Sequence, residues 1–161
     1  MSTRASIRKH PIHPMLVAFP LALWVTAVVF DVVAIVTGNA TARAVAFYDI
    51  GAGIIGALAS AIPGFIDYLT LEGAAARRTG TWHMVLNLAA LALFTASWLA
   101  RTRWGAGIVG ANSWLPQLTA FIGLAVLAPA GWLGGALVFE HGMGVEPVNS
   151  RPPARGRRRA A

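Results

Sequence analysis

His10-Pro11-Ile12-His13-Pro14-Met15-Leu16-Val17-Ala18-Phe19-Pro20 opens a long apolar run that continues to Val36, and its reading decides the fold. Two of the chain's four histidines stand here, where polar sequence gives way to apolar. Pro14 suits a first helical turn, because the N–H it lacks would have no intrahelical partner there. From Pro14 to Val36 the segment is long enough to cross a hydrocarbon core, which takes about 20 apolar residues. A cleaved leader is the competing reading, since the start is basic and Ala40-Thr41-Ala42 loosely resembles a cleavage site. The apolar run exceeds the roughly 7–15 residues of such leaders and contains Asp31, so a retained helix is expected.

Three further stretches are as long and as apolar: Val45–Leu69, Trp82–Ala100 and Leu115–Phe139. Turn-rich or charged joints separate them: Thr37-Gly38-Asn39, Glu72 to Gly80, and Thr102 to Ser113. The 161 residues are 57% hydrophobic and 12% charged, against about 25% charged in soluble domains. The fold class is therefore all-α, a polytopic membrane four-helix bundle over residues 1–145, with a Pro- and Arg-rich tail, 146–161, expected to be disordered. Pro20, Pro63 and Pro129 fall inside helices, where kinks are expected. Cysteine is absent, which excludes disulfides, thiolate metal sites and covalent haem attachment in this chain.

Lys and Arg set the expected orientation. Ten of the thirteen lie before the first span, in the second joint (Arg77, Arg78) or in the tail; Arg43, Arg101 and Arg103 lie on the other side. The bias places both termini in the cytoplasm of a bacterial inner (plasma) membrane protein. The tail is expected to lie against anionic lipid, and no nucleic-acid partner is expected, since no folded basic domain accompanies it.

A helix completes five turns in 18 residues and rises about 27 Å. Polar residues spaced by 18 therefore share a face near opposite edges of the core. His13 and Asp31 obey this spacing, as do Asp49 and Asp67, and His83 and Arg101, with Asn87 one turn inside His83. Alternating helix direction sorts them into two layers. One holds His10, His13, Asp67, His83, Glu140 and His141; the other holds Asp31, Asp49 and Arg101, with Arg43 and Asn112 nearby. The second layer reads as structural, Asp31 and Asp49 either sitting in interfacial water or pairing with Arg101 or Arg43 to fix helix register. Small residues on the second span (Gly53, Gly56, Ala57, Ser60, Gly64) and the fourth (Gly131, Gly134, Gly135) allow close helix approach.

The histidine layer carries the chemistry. Four interfacial imidazoles bonded to backbone or headgroups are one reading. The sharper one is a ligand set: two histidines on facing helices holding haem b, or three to four with Asp67 or Glu140 holding a divalent metal ion. His13, His83 and His141 are the first-choice ligands, His10 a fourth, and Asp67 a metal ligand or the acceptor that orients an imidazole. They are expected to converge at one membrane edge.

Three passages resemble a known family: the opening His10-to-Pro20 stretch, His83 with Asn87, and Gly134-Gly135-Ala136-Leu137-Val138-Phe139-Glu140-His141-Gly142-Met143-Gly144-Val145. They are similar to the bacterial four-helix membrane proteins grouped as domain of unknown function 2231, over nearly the whole chain except its ends. Relatives often carry histidine where Ala18 stands, which removes one ligand from any five-histidine scheme. Some relatives look like this module joined to Rieske-type iron–sulfur or c-type cytochrome domains. The resemblance thus implies membrane electron transfer, favours haem over a simple metal, and implies a redox protein as partner.

The leading expectation is a haem- or metal-binding electron-transfer membrane subunit. The alternative is a non-catalytic accessory protein without cofactor, its histidines and aspartates fixing helix register. A small ion or proton transporter ranks lower, because only Ser60 and Asn87 offer mid-helix polarity between the layers. An enzyme acting on its own substrate is the least supported class, there being no nucleophile–base pair and no phosphate loop. The sequence leaves the oligomeric state open.

Overall fold

The computed structural model describes residues 5–8, 10–103 and 114–145. A short antiparallel hairpin, β1 (Ser6–Ile7) and β2 (His10–Pro11), leads directly into α1 (Ile12–Thr37). Arg8, at φ 49, makes its turn. Then come α2 (Ala40–Leu69), α3 (Ala74–Arg103) and α4 (Leu115–Phe139). All four helices are long and apolar enough to cross a membrane. The chain is an all-α four-helix membrane bundle.

Gly38 ends α1 in the left-handed conformation, φ 69, and its N–H closes on Ala34 O, as a glycine after a helix does. The Asn39 side chain accepts from Ala42 N and starts α2. The first joint is thus a two-residue turn, and α2 begins five residues before the apolar run. The departure is larger at α3, which starts at Ala74 rather than near Trp82. Ala74-Ala75-Ala76-Arg77-Arg78 is polar by hydropathy but rich in strong helix formers. The third joint from 104 onward and the tail, 146–161, lie outside the described residues, as do Arg4, Lys9 and Asn112.

The bundle is two helical hairpins. α1 packs closely on α2, and α3 on α4; the seam between the pairs is looser. Small residues line the close contacts, with Ala27, Ala46, Ala90 and Ala120 fully buried beside Trp24, Ile50 and Phe94. The large apolar side chains point the other way: Phe19, Val36, Ile55, Ile62, Trp132 and Phe139 are exposed, as lipid contact requires. Gly53, Gly56 and Gly64 face Trp24, Pro20 and His13, so α2's small face is used inside the chain.

The hairpins repeat one plan at an offset of seventy residues. Trp24 stacks on Phe94, ring centroids 4.3 Å apart and 12° from parallel. Asp31 takes a bidentate ion pair from Arg101, at 2.8 and 2.6 Å. His13 meets His83 edge to face. Each of these pairs joins positions seventy apart. α1 and α3 therefore face each other as equivalents about a pseudo-two-fold axis that runs along the bundle. The Asp31–Arg101 pair is fully buried on the aspartate side, and Ser97 braces the guanidinium. Of the alternatives left open for Asp31, interfacial water or a pair with Arg101 or Arg43, the structure has the pair with Arg101; Asp49, half-buried on α2, stands outside it.

Candidate functional site

At the end opposite the ion pair, the seam holds a cavity of about 140 Å³. His13, Asp67, Tyr68, His83 and Asn87 line it among apolar neighbours such as Val17, Leu21, Leu88 and Leu91. Trp24 closes its inner side.

His13 enters from the first turn of α1, because the helix begins at Ile12 and takes Pro14 into that turn. Its Nδ1 lies 2.8 Å from Ser60 O on α2. His83 on α3 repeats this with Ala130 O on α4, also at 2.8 Å. Both contacts span 47 residues. A carbonyl can only accept, so each imidazole carries its proton on Nδ1 and donates it; the neutral ring then keeps its lone pair on Nε2. The two rings are perpendicular, 89°, with centroids 6.2 Å apart.

Glycine makes room for both rings. A Cβ on Gly64 would lie 2.7 Å from His13 Nδ1, and one on Gly134, the equivalent position, 3.0 Å from His83 Cε1. Gly64→Ala should therefore displace His13 and break its carbonyl bond, while Gly134→Ala should cost less. Imidazole NMR shifts and melting temperature check the order; equal effects would contradict it. Asn87 steadies the second ring. Its Nδ2 donates to His83 O at 2.7 Å and lies nearly equidistant, 3.4 and 3.3 Å, from the ring's two nitrogens. That equidistance puts the amide over the ring face rather than in its plane.

The remaining histidines and Glu140 lie at the same end without joining the cavity. His141 follows α4 and shares a hydrogen bond with Thr79, 3.1 Å from Nε2 to Oγ1, one turn before His83. His10 is exposed in β2. Asp67 is buried and lines the cavity, yet its Oδ1 accepts from Ala5 N at 3.1 Å and so tethers the amino-terminal hairpin. The acceptors that orient the imidazoles are backbone carbonyls, not this carboxylate. Among the described residues, no three or more His, Asp or Glu side chains are grouped to hold a metal ion. Glu140 is exposed at the end of α4.

Sequence reading missed the partners Ser60 O, Ala130 O, Gly64 and Gly134. A signal existed: Leu21-Ala22-Leu23-Trp24 recurs as Leu91-Ala92-Leu93-Phe94, and His13, Gly53 and Gly64 recur as His83, Gly123 and Gly134.

Four apolar spans, an ion pair buried between two of them and a mostly apolar cavity with a few polar side chains at one edge define a multi-pass integral membrane protein. Comparison of families makes this specific: the chain belongs to the family described as predicted membrane protein (DUF2231), whose model matches residues 9–147. No curated protein and no solved structure matched the chain.

Proposed function

We propose that the protein is an electron-transfer subunit of the bacterial plasma membrane, holding haem b between His13 and His83 and exchanging electrons with a redox protein partner. The relation of the two imidazoles carries this reading. With metal–nitrogen bonds of about 2.0 Å, two rings binding one metal ion from opposite sides would have centres about 6 Å apart; His13 and His83 stand at 6.2 Å. Each is oriented by an Nδ1–H bond to a carbonyl, the arrangement that fixes the tautomer of a ligating histidine.

The donor set decides between cofactors. Protein metal sites for zinc take three or four side-chain ligands; the cavity brings together His13 and His83, while Asp67 on its wall is tied to Ala5 N and is not grouped with them into a set of three among the described residues. A tetrapyrrole supplies the other four nitrogens to its iron and the redox chemistry with them. The walls are mostly apolar, as a macrocycle requires. The void is smaller than the roughly 300–1,000 Å³ of pockets for drug-sized ligands, so loading must part the hairpins along their looser seam. The Lys and Arg bias puts this end, both termini and the basic tail on the cytoplasmic side, the tail against anionic lipid.

A second reading rests on the same bonds: each histidine ties together the two helices of its own hairpin and so can serve an accessory protein without cofactor. The test is a reduced-minus-oxidised spectrum of full-length protein, with haem and metal assays. Low-spin bis-histidine bands are expected, lost in His13→Gln and His83→Gln and kept in His10→Gln and His141→Gln. A folded protein that takes up no haem would overturn the haem reading and leave the accessory one.

A further inference from the structure

We infer that α2 is the contact surface for a second copy of this chain, in a parallel two-fold dimer in which Tyr48 of each copy donates a hydrogen bond to Asp49 of the other. The contact lies away from His13, which meets α2 at Ser60 and Gly64, and it involves no cofactor.

α2 runs from Ala40 to Leu69, so its midpoint falls between Ile54 and Ile55. Asp49 lies about 8 Å from that midpoint, and a hydrocarbon core centred there extends about 15 Å to each side. The carboxyl group is thus inside the core, on a side chain too short to reach the headgroups. Ionisable groups at such depth are costly and take a partner, as Asp31 does with Arg101. Among the described residues, Asp49 has no hydrogen bond or ion pair. The hydroxyl of Tyr48, whose ring touches Phe47, has no partner among them either. The repeat shows that the fold does not require these two groups. At the seventy-residue offset they correspond to Leu118 and Thr119 on α4. Leu118 is apolar, and the Thr119 hydroxyl is satisfied within its own helix by Leu115 O and Pro116 O.

A donor and an acceptor on adjacent residues make α2 self-complementary. Each residue turns the helix by about 100°, so Tyr48 and Asp49 flank a strip made by Val45, Ala52 and Ala59. Tyr48, Ala52 and Ala59 are exposed, Val45 and Asp49 are half-buried, and Ala46, Ile50 and Gly53 are buried in the bundle. In two parallel helices related by a two-fold axis, central positions meet themselves and each flank meets the partner's opposite flank. Tyr48 therefore faces Asp49 of the other copy twice, at nearly equal depth. Alanines at 52 and 59 let the two backbones approach closely. Ile122 and Pro129 stand at the equivalent positions of α4, so α4 does not repeat the seam and the contact closes at two copies.

The experiment reconstitutes full-length protein, labelled at its amino terminus with donor or acceptor dye, in phosphatidylethanolamine–phosphatidylglycerol vesicles. Energy transfer is followed as added lipid dilutes the protein. Wild type should dimerise, and Thr119→Val should dimerise equally well. Tyr48→Phe and Asp49→Leu should each weaken dimerisation about tenfold, the size of two interhelical hydrogen bonds. Mixed with each other, these two variants should associate about threefold better than either does with itself, because one of the two bonds is restored. The chain lacks cysteine, so Ala52→Cys should cross-link to a disulfide dimer on oxidation with copper–phenanthroline, and Ile122→Cys should not. Wild type that stays monomeric overturns the inference, whichever other protein covers the face. So do variants that dimerise as wild type does, a mixture no better than its parts, or a failure of Ala52→Cys to cross-link.

Discussion

Arg101→Leu, with Asp31 left in place, is expected to destabilise the bundle by about 3–5 kcal/mol, the usual cost of removing one partner of a buried ion pair. The Asp31 carboxylate is fully buried, and both of its oxygens are taken by Arg101. Without the guanidinium a carboxylate in a lipid-surrounded core must take up a proton or draw in water. Ser97 cannot replace the charge, because its hydroxyl already donates to Pro116 O. The double variant Asp31→Leu/Arg101→Leu removes both charges and should recover most of the loss, since buried pairs are often matched by apolar residues of similar size. Unfolding of the purified variants in micelles measures both. A single variant as stable as wild type would mean that the pair contributes nothing to holding the hairpins together.

Gly53→Ala is the second large effect. A Cβ there would run into the Trp24 indole, which is 3% exposed and stacked on Phe94. The indole is enclosed and rigid, so relief requires α2 to move from α1 or the stack to open. Overpacking of this kind costs about 1–3 kcal/mol, and Trp24 fluorescence should shift with the melting curve. Gly131→Ala is the control. It meets nothing within 4 Å and should be neutral or slightly stabilising, by up to about 1 kcal/mol of helix propensity. If the two alanines behaved alike, the close α1–α2 approach at Gly53 would be wrong.

How much of this was legible in the sequence depended on which physical signal each feature leaves. Span length and hydropathy are strong signals, and α4 was bounded to the residue, Leu115–Phe139. Helix continuation past the apolar run is not a hydropathy signal, which is why the start of α3 was misplaced across Ala74 to Gly80. The eighteen-residue spacing sorted His13 and His83 from Asp31 and Arg101, and the Asp31–Arg101 pair was among the alternatives it left open. It could not say which histidines share a cavity, because His141 follows a helix end, where a turn of backbone decides where the ring goes. Backbone acceptors were invisible for a different reason. Any residue supplies a carbonyl, so Ser60 and Ala130 differ in side chain while making the same bond. The seventy-residue repeat was hidden by the very substitutions that make it useful, since Asp31 against Arg101 and Trp24 against Phe94 score as mismatches.

Those mismatches have an evolutionary consequence. If the chain arose by duplication of one hairpin that paired with its own copy, every axial position in the ancestor met itself. Aspartate would have faced aspartate at the position of Asp31, and each pocket wall would have had to suit both sides at once. Joining two copies in one gene releases that constraint. One half can specialise as donor and the other as acceptor, as Asp31 and Arg101 have done. The same release lets Asn87 oppose Val17 and Tyr68 oppose Val138, so that two like imidazoles come to sit in unlike surroundings.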